Sequence, residues 1–180
     1  MSSSADEIPP GVVVWITGLS GAGKSVIAHR VFELVKPRKM NTVLLDGDHL
    51  RTMMGDDLRH DRVDRLANAY RIARLCRHLS DQGIHVICST MSLFRECHDW
   101  NRQNIRRYFE VYLRVPFDVL VQRDAKGLYA RARRGEISGV VGVDLPIEEP
   151  LRPDLQIDNA EPRTEFGDIA DAIVRSAGLG

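Results

Sequence analysis

Short apolar runs alternate along this chain with longer stretches in which apolar positions recur every three or four residues. The first run, VVVWIT (12–17), is β-branched and nearly free of polar interruption, as in a strand buried on both faces. A helix is expected over 24–36, stopped ahead of Pro37. NTVLLD (41–46) predicts a second strand. Residues 62–82 form a long amphipathic pattern in which Leu66, Ala69, Ala73, Cys76 and Leu79 share one face, and Gly83 closes it. IHVICS (84–89) predicts the third strand, 95–108 a polar helix, and FEVYLRV (109–115) a fourth strand ended by Pro116. Another helix opens over 117–123. Residues 124–150, punctuated by Gly, Arg and Pro, read as an irregular excursion. DLQID (154–158) and 166–177 predict a last strand and a last helix.

Strands that alternate with helices at this spacing predict a three-layer α/β fold, a five-stranded parallel sheet covered on both faces. Ligands of such sheets sit at the carboxyl ends of the strands. The pattern contains no repeat and no second domain. A flexible tail over 1–10 and a single domain over 11–180 are expected, with 124–150 as a lid segment.

Composition narrows the partners. The chain of 180 residues carries 25 Lys+Arg and 25 Asp+Glu, so its formal net charge is zero, which argues against a broad nucleic-acid footprint. Cys76, Cys88 and Cys97 show no C-x-x-C spacing and read as reduced thiols of a cytoplasmic protein. The first residues, MSSSADEIPPG, lack the basic and apolar regions of a signal peptide. No run of 18 apolar residues occurs, so no membrane span is expected.

Candidate chemistry follows the strands. After the first comes GLSGAGKS, which satisfies G-x-x-x-x-G-K-[ST] through Gly18, Gly23, Lys24 and Ser25. Its glycines, Gly18, Gly21 and Gly23, let backbone N–H groups turn inward, so the loop from Gly18 through Ser20, Gly21, Ala22 and Gly23 can cradle phosphates at a helix N-terminus. Lys24 would reach the β- and γ-phosphates of ATP, and Ser25 would ligate Mg²⁺. After the second strand, DGDHLR sets Asp46 and Asp48 on either side of Gly47. A carboxylate there can hold Mg²⁺ or accept an acceptor's proton, and Asp46 is a candidate for both. The same residues also suit a turn and a helix N-cap. In the excursion, Arg123, Lys126, Arg131, Arg133 and Arg134 could neutralise charge in phosphoryl transfer, or form a solvated face.

GLSGAGKS, DGDHLR, DR..RLAN, STMSLFR, RDAKGLYARARRGEI and GVVGVDLP, taken together and in order, resemble the adenylyl-sulfate kinase family of P-loop kinases from about residue 12 to 160. The resemblance implies a P-loop NTPase fold and transfer of the γ-phosphate of ATP to the 3′-hydroxyl of adenosine 5′-phosphosulfate. It implies Mg²⁺ and a homodimer as well. By position it implies that Lys24 and Ser25 serve ATP and Mg²⁺, and that Asp48 lies nearest the acceptor hydroxyl with Asp46 beside it. Arg51, Arg65, Asn68, Ser92 and Lys126 match acceptor- or phosphate-facing positions. Without the resemblance, Arg65 and Asn68 could be plain surface residues and Ser92 a strand-end cap. His49 holds a variable position.

Two departures fall on the acceptor side. His60 stands where the family usually has a Phe that stacks on adenine, and Val140 where a second Phe closes the other side of the base. Each aromatic stacking contact on a base is worth about 1–3 kcal/mol, so both exchanges weaken the case for adenine. A segment usually of the FISPYR type reads TMSLFR here, with Leu93 in place of Pro. VVGVD and CSTMSLF look similar to a branch that phosphorylates cytidine diphosphoramidate, and a pyrimidine needs less stacking surface. Adenosine 5′-phosphosulfate remains the first reading and the cytidine compound the second. Gluconate, shikimate or nucleoside-monophosphate kinases are disfavoured by KGLY.RAR, and a GTPase by the lack of N-K-x-D. A non-catalytic nucleotide-binding module is disfavoured because Lys24, Ser25 and Asp48 are all present.

Overall fold

A computed structural model describes residues 8–55, 57–124, 127–161 and 165–180. Five strands form one parallel sheet: β1 (Val13–Thr17), β2 (Thr42–Asp46), β3 (His85–Ser89), β4 (Tyr108–Arg114) and β5 (Leu155–Asp158), in the order β2-β3-β1-β4-β5. β1 lies in the middle, with Val13 paired to Val86 on one side and to Tyr108 on the other. The side chains of β1 alternate between two cores. Val14 and Ile16 face α1 (Lys24–Val35) and the last helix, while Val13 and Trp15 face the long helix over Arg62–Asp81. Both faces are covered, so the run stays apolar without a polar alternate.

The helices follow local chemistry. α2 (Gly47–Met53) is capped by Asp46, whose side chain accepts from the amides of Asp48 and His49. α3 (Arg62–Asp81) is capped by Asp61, which accepts from Asp64 N. α4 (Arg95–Asn104) stops four residues short of the expected 108, because β4 already takes Tyr108 into the sheet. α5 (Phe117–Arg123) and α7 (Gly167–Ser176) lie where the pattern puts them, to within a residue.

Two short helices depart from the expectation. α2 occupies what reads as a turn, and α6 (Leu128–Arg133) sits inside the segment expected to be irregular. The Asp124 carboxylate nucleates α6 by accepting from the amides of Tyr129 and Ala130. Tyr129 is then buried edge-on against Phe117, with centroids 5.2 Å apart. Among the described residues no helix is long and apolar enough to cross a membrane. The three cysteines are free and buried; burial pushes the Cys97 thiol up to about 12 and raises Cys88 well above its ordinary value.

Candidate active site

The phosphate-binding turn leaves the carboxyl end of β1. Gly18 takes φ +153, and a Cβ there would stand 2.7 Å from the Leu113 carbonyl, so only glycine lets the loop pass this close to β4. Ala22 N donates to Leu19 O at 3.2 Å, and Lys24 Nζ donates to Leu19 O at 2.8 Å, so the lysine folds back over its own loop. Two outside groups brace the turn. Tyr129 Oη on α6 donates to Ser20 O at 2.9 Å, and Asn159, just past β5, donates to Ala22 O at 3.0 Å. Gly21 and Gly23 both have positive φ, and Gly23 caps α1 in the left-handed region.

Asp46 faces this loop across the strand ends. Its Oδ2 accepts from Ser25 Oγ at 2.7 Å and from Ser89 Oγ at 2.8 Å, while Oδ1 accepts from the amides of Asp48 and His49 at 3.1 and 3.3 Å. Burial works to raise its pKa, but those four donors more than offset it and hold the carboxyl below its ordinary value. A hydroxyl and an ionised carboxylate in contact beside a phosphate cradle are the donor types that Mg²⁺ takes. Asp48 is exposed on the first turn of α2, beside this pair.

The basic side of the site is built from α2, α3 and the loop between them. Arg51 donates to the carbonyls of Leu58 and Arg59. Arg65 Nε donates to His60 O at 2.8 Å. Among the described residues, both guanidiniums hydrogen-bond only to backbone carbonyls, and neither forms a carboxylate pair. Burial and then the Arg51 charge lower the pKa of Arg65, while Asp144 and Asp48 act in the opposite direction. Partial burial, then the charges of Arg51 and Arg65, lower that of His60, so its ring is neutral at neutral pH. The structure thus gathers Asp48, Arg51, His60 and Arg65 into one electrostatic cluster. Asn68 follows one turn after Arg65 on α3 and is half-buried.

Three expected residues stand apart. Val140 is 2% exposed and packs in the core on the α1 side of the sheet rather than lining an opening. Ser92 is 1% exposed, its hydroxyl is buried beside the Cys97 thiol, and its carbonyl is engaged by Thr17 and His98. Both turn inward because the segments that carry them are sealed by hydrophobic neighbours, Leu93 and Phe94 in one case and Val141 in the other. Lys126 lies outside the described residues.

The return limb of the 124–150 segment closes over this cluster. Asp144 caps its turn, with Oδ2 accepting from Gly139 N and Oδ1 from Val140 N, both at 2.6 Å. Gly139 has φ +76, and a Cβ there would lie 2.3 Å from His60 O. Glu148 then bonds Arg62 at 2.9 Å and the Arg95 amide at 3.1 Å, and Arg62 also bonds Glu96. Nothing in the periodicity marks Ser89, Tyr129, Asp144 or Asn159 as neighbours of the site; their only signal is position just after a strand or inside a quoted motif. Gly139→Ala should push the return limb off the 58–61 loop. We expect the KM of the acceptor to rise about tenfold with the KM of ATP within twofold, measured by initial rates.

Beside Ser25 opens a cleft of about 490 Å³ lined by Val26, His29, Arg30, Glu33, Glu165, Phe166 and Gly167. Phe166 also approaches the phosphate loop, 4.0 Å from where a Gly23 Cβ would stand.

Comparison with known proteins fits this geometry. The adenylylsulphate kinase family model matches residues 10–158. Cytidine diphosphoramidate kinase of Campylobacter jejuni is 40% identical over 167 residues, covering 93% of this chain and 96% of that protein. A probable adenylyl-sulfate kinase of Bacillus subtilis is 39% identical over 166 residues, covering 91% and 82%. The structure of the Mycobacterium tuberculosis APS kinase CysC in complex with AMPPNP and APS superposes with a TM-score of 0.85 at 34% identity, over 94% of this chain and 99% of that one. The family model spans most of the chain and the whole fold superposes on a solved APS kinase, so the chain is a phosphotransferase with an alcohol acceptor and belongs to the adenylylsulphate kinase family.

Proposed function

We propose that this enzyme transfers the γ-phosphate of MgATP to the 3′-hydroxyl of a nucleotide whose 5′ end carries a compact anionic group. The observation that carries the reading is the pair Arg51 and Arg65. Two guanidiniums, close enough for one to depress the other, give their hydrogen bonds among the described residues to carbonyls. Such a pair is complementary to an anion that brings its own charge.

The chain's own groups suit the steps. Amides of the Gly18–Gly23 turn and the N-terminus of α1 receive phosphate oxygens, and Lys24 swings from the Leu19 carbonyl onto the β- and γ-phosphates. Ser25 and Asp46 would hold Mg²⁺, which supplies charge neutralisation on the phosphate oxygens when bound. Asp48 orients the acceptor hydroxyl or takes its proton as the oxygen attacks the γ-phosphorus and ADP leaves. The 124–150 lid, with Tyr129 bound to the phosphate loop, excludes water that would otherwise hydrolyse ATP. The reading includes a cytoplasmic homodimer.

Adenosine 5′-phosphosulfate is the first acceptor, a proposal supported by relatives that bear its name. A specific observation favours cytidine diphosphoramidate as the second. The buried Val140 and the neutral imidazole of His60 supply no pair of aromatic walls for a purine. The test is ADP release from MgATP with each compound in turn. Turnover with the phosphosulfate at a kcat/KM at least about tenfold above that of the cytidine compound supports the first reading, and the reverse ratio supports the second. ADP release with neither acceptor overturns the proposal.

A further inference from the structure

We infer that His98 is a positioning residue for acceptor binding. Its ring, buried under the site, fixes the Ser92 carbonyl and through it the 89–95 segment that joins the phosphate loop to the acceptor side. The kinetic part of this inference rests on the proposed function; the structural part does not.

Residues 90–94 have no regular secondary structure, yet Ser92, Leu93 and Phe94 are buried. Backbone groups in such a stretch need individual partners, because no ladder supplies them. The Ser92 carbonyl has two. Thr17 Oγ1 donates to it at 3.1 Å, and His98 Nε2 contacts it from the opposite element, α4. A carbonyl only accepts, so Nε2 carries the hydrogen. Both lone pairs of one oxygen are thereby used, one by the last residue of β1, next to Gly18, and one by a buried ring.

The ring is itself held. His98 is 4% exposed, and its Nδ1 lies 3.4 Å from Glu110 Oε1, outside hydrogen-bonding geometry. Glu110 is buried in the middle of β4 and held by several hydrogen bonds. Its Oε1 accepts from Tyr108 Oη at 2.9 Å, its Oε2 accepts from Arg102 at 3.2 Å, and its amide donates to Asp154 at 2.7 Å. Arg102 also bridges to Asp154 at 3.1 Å. Burial against this network, not a hydrogen bond at Nδ1, keeps Nε2 on the Ser92 carbonyl.

What this anchors reaches three parts of the site within seven residues. Ser89 Oγ bonds Asp46. Thr90 abuts the turn that carries Asp48, since a Cβ on Gly47 would stand 2.8 Å from Thr90 Oγ1. The Arg95 amide bonds Glu148 of the lid's return limb, and Phe94 lies under Arg62, 5.6 Å from its guanidinium. Releasing the Ser92 carbonyl therefore loosens the acceptor side, while the phosphate turn keeps its braces from Tyr129 and Asn159.

The experiment compares the intact protein with His98→Gln, His98→Asn and Thr17→Val. Glutamine places an N–H where Nε2 was; asparagine places it near Nδ1, too short to reach the carbonyl. His98→Asn and Thr17→Val are expected to raise the acceptor KM about tenfold, the factor one ordinary hydrogen bond represents, with the ATP KM within twofold. His98→Gln restores the acceptor KM. Equal movement of both KM values, no movement, or a glutamine variant no better than asparagine overturns the inference. If the intact protein phosphorylates neither acceptor, the functional proposal fails, and the carbonyl ¹³C resonance of Ser92 decides for His98. An upfield shift in His98→Asn that His98→Gln reverses supports the anchor; an unchanged resonance in both sinks it.

Discussion

Lys24→Ala should lower kcat with MgATP and acceptor by about 10³-fold, without unfolding the protein. The effect is large because the lysine is prepositioned. Its ammonium already lies over the loop that receives the phosphates, 2.8 Å from the Leu19 carbonyl, and no other side chain begins from the first residue of α1. Charge that accumulates on the transferring phosphoryl group meets a cation whose reorganisation is a single rotamer change. The fold should survive because Lys24 is not part of either core, whereas Ile27 and Ala28, which follow it, are fully buried. The amides of the turn remain, so the KM of ATP should rise much less than kcat falls. Lys24→Arg should not rescue, because a planar fork needs more room than a point charge on a flexible stem. Retention of more than about a tenth of kcat by Lys24→Ala, with melting behaviour unchanged, removes the lysine from the transition state.

Asp48→Ala comes second, with an expected loss of about 10²–10⁴-fold in kcat. The two carboxylates of DGD are unequal in the structure. Asp46 accepts four hydrogen bonds and is tied to Ser25, so its lone pairs are committed to the metal side and to capping α2. Asp48 stands exposed one step further into the opening. Losing it should therefore spare the Mg²⁺ dependence of the reaction, whereas Asp46→Ala should shift that dependence to higher metal concentration. Asp48→Asn separates the two roles of the carboxylate. It keeps a hydrogen-bond acceptor for orienting the hydroxyl but takes no proton, so a rate near that of the alanine variant identifies proton transfer as the larger contribution. An alanine variant that keeps most of its turnover contradicts the assignment of Asp48.

The parts of this molecule legible from its sequence are those whose cause is local. β1, β2 and β4 declare themselves as stretches rich in apolar residues that end at or just before Gly18, Asp46 and Pro116, and β1 reads clearly because both its faces are covered. The GLSGAGKS turn is legible because its glycines answer a backbone need that no other residue meets. The parts that are not legible have distant causes. α6 exists because Asp124 caps it and Phe117 gives Tyr129 a wall, and neither relation has a period. Val140 reads as a ligand wall by its place in GVVGVD, yet Asp144 pulls the Gly139 and Val140 amides into a turn and buries the side chain. Ser92 reads as a strand-end cap, or by resemblance as a residue facing phosphates or acceptor; that its carbonyl is the group held by Thr17 and His98 is a distinction that sequence does not encode.

The sheet order has a consequence for how such enzymes diverge. The donor turn grows from β1, the strand with zero or near-zero exposure at every residue and a hydrogen-bonded neighbour on each side. A substitution there falls in one or the other of the two cores. The cluster proposed for the acceptor hangs instead on α2, the start of α3 and the excursion, where His60 and Asp48 face solvent. Mutations on that rim leave the foundations standing. Lineages can therefore drift from one nucleotide to another with the phosphate chemistry untouched. Proteins named for two different acceptors then stand at nearly equal identity, 40% and 39%, to the same chain.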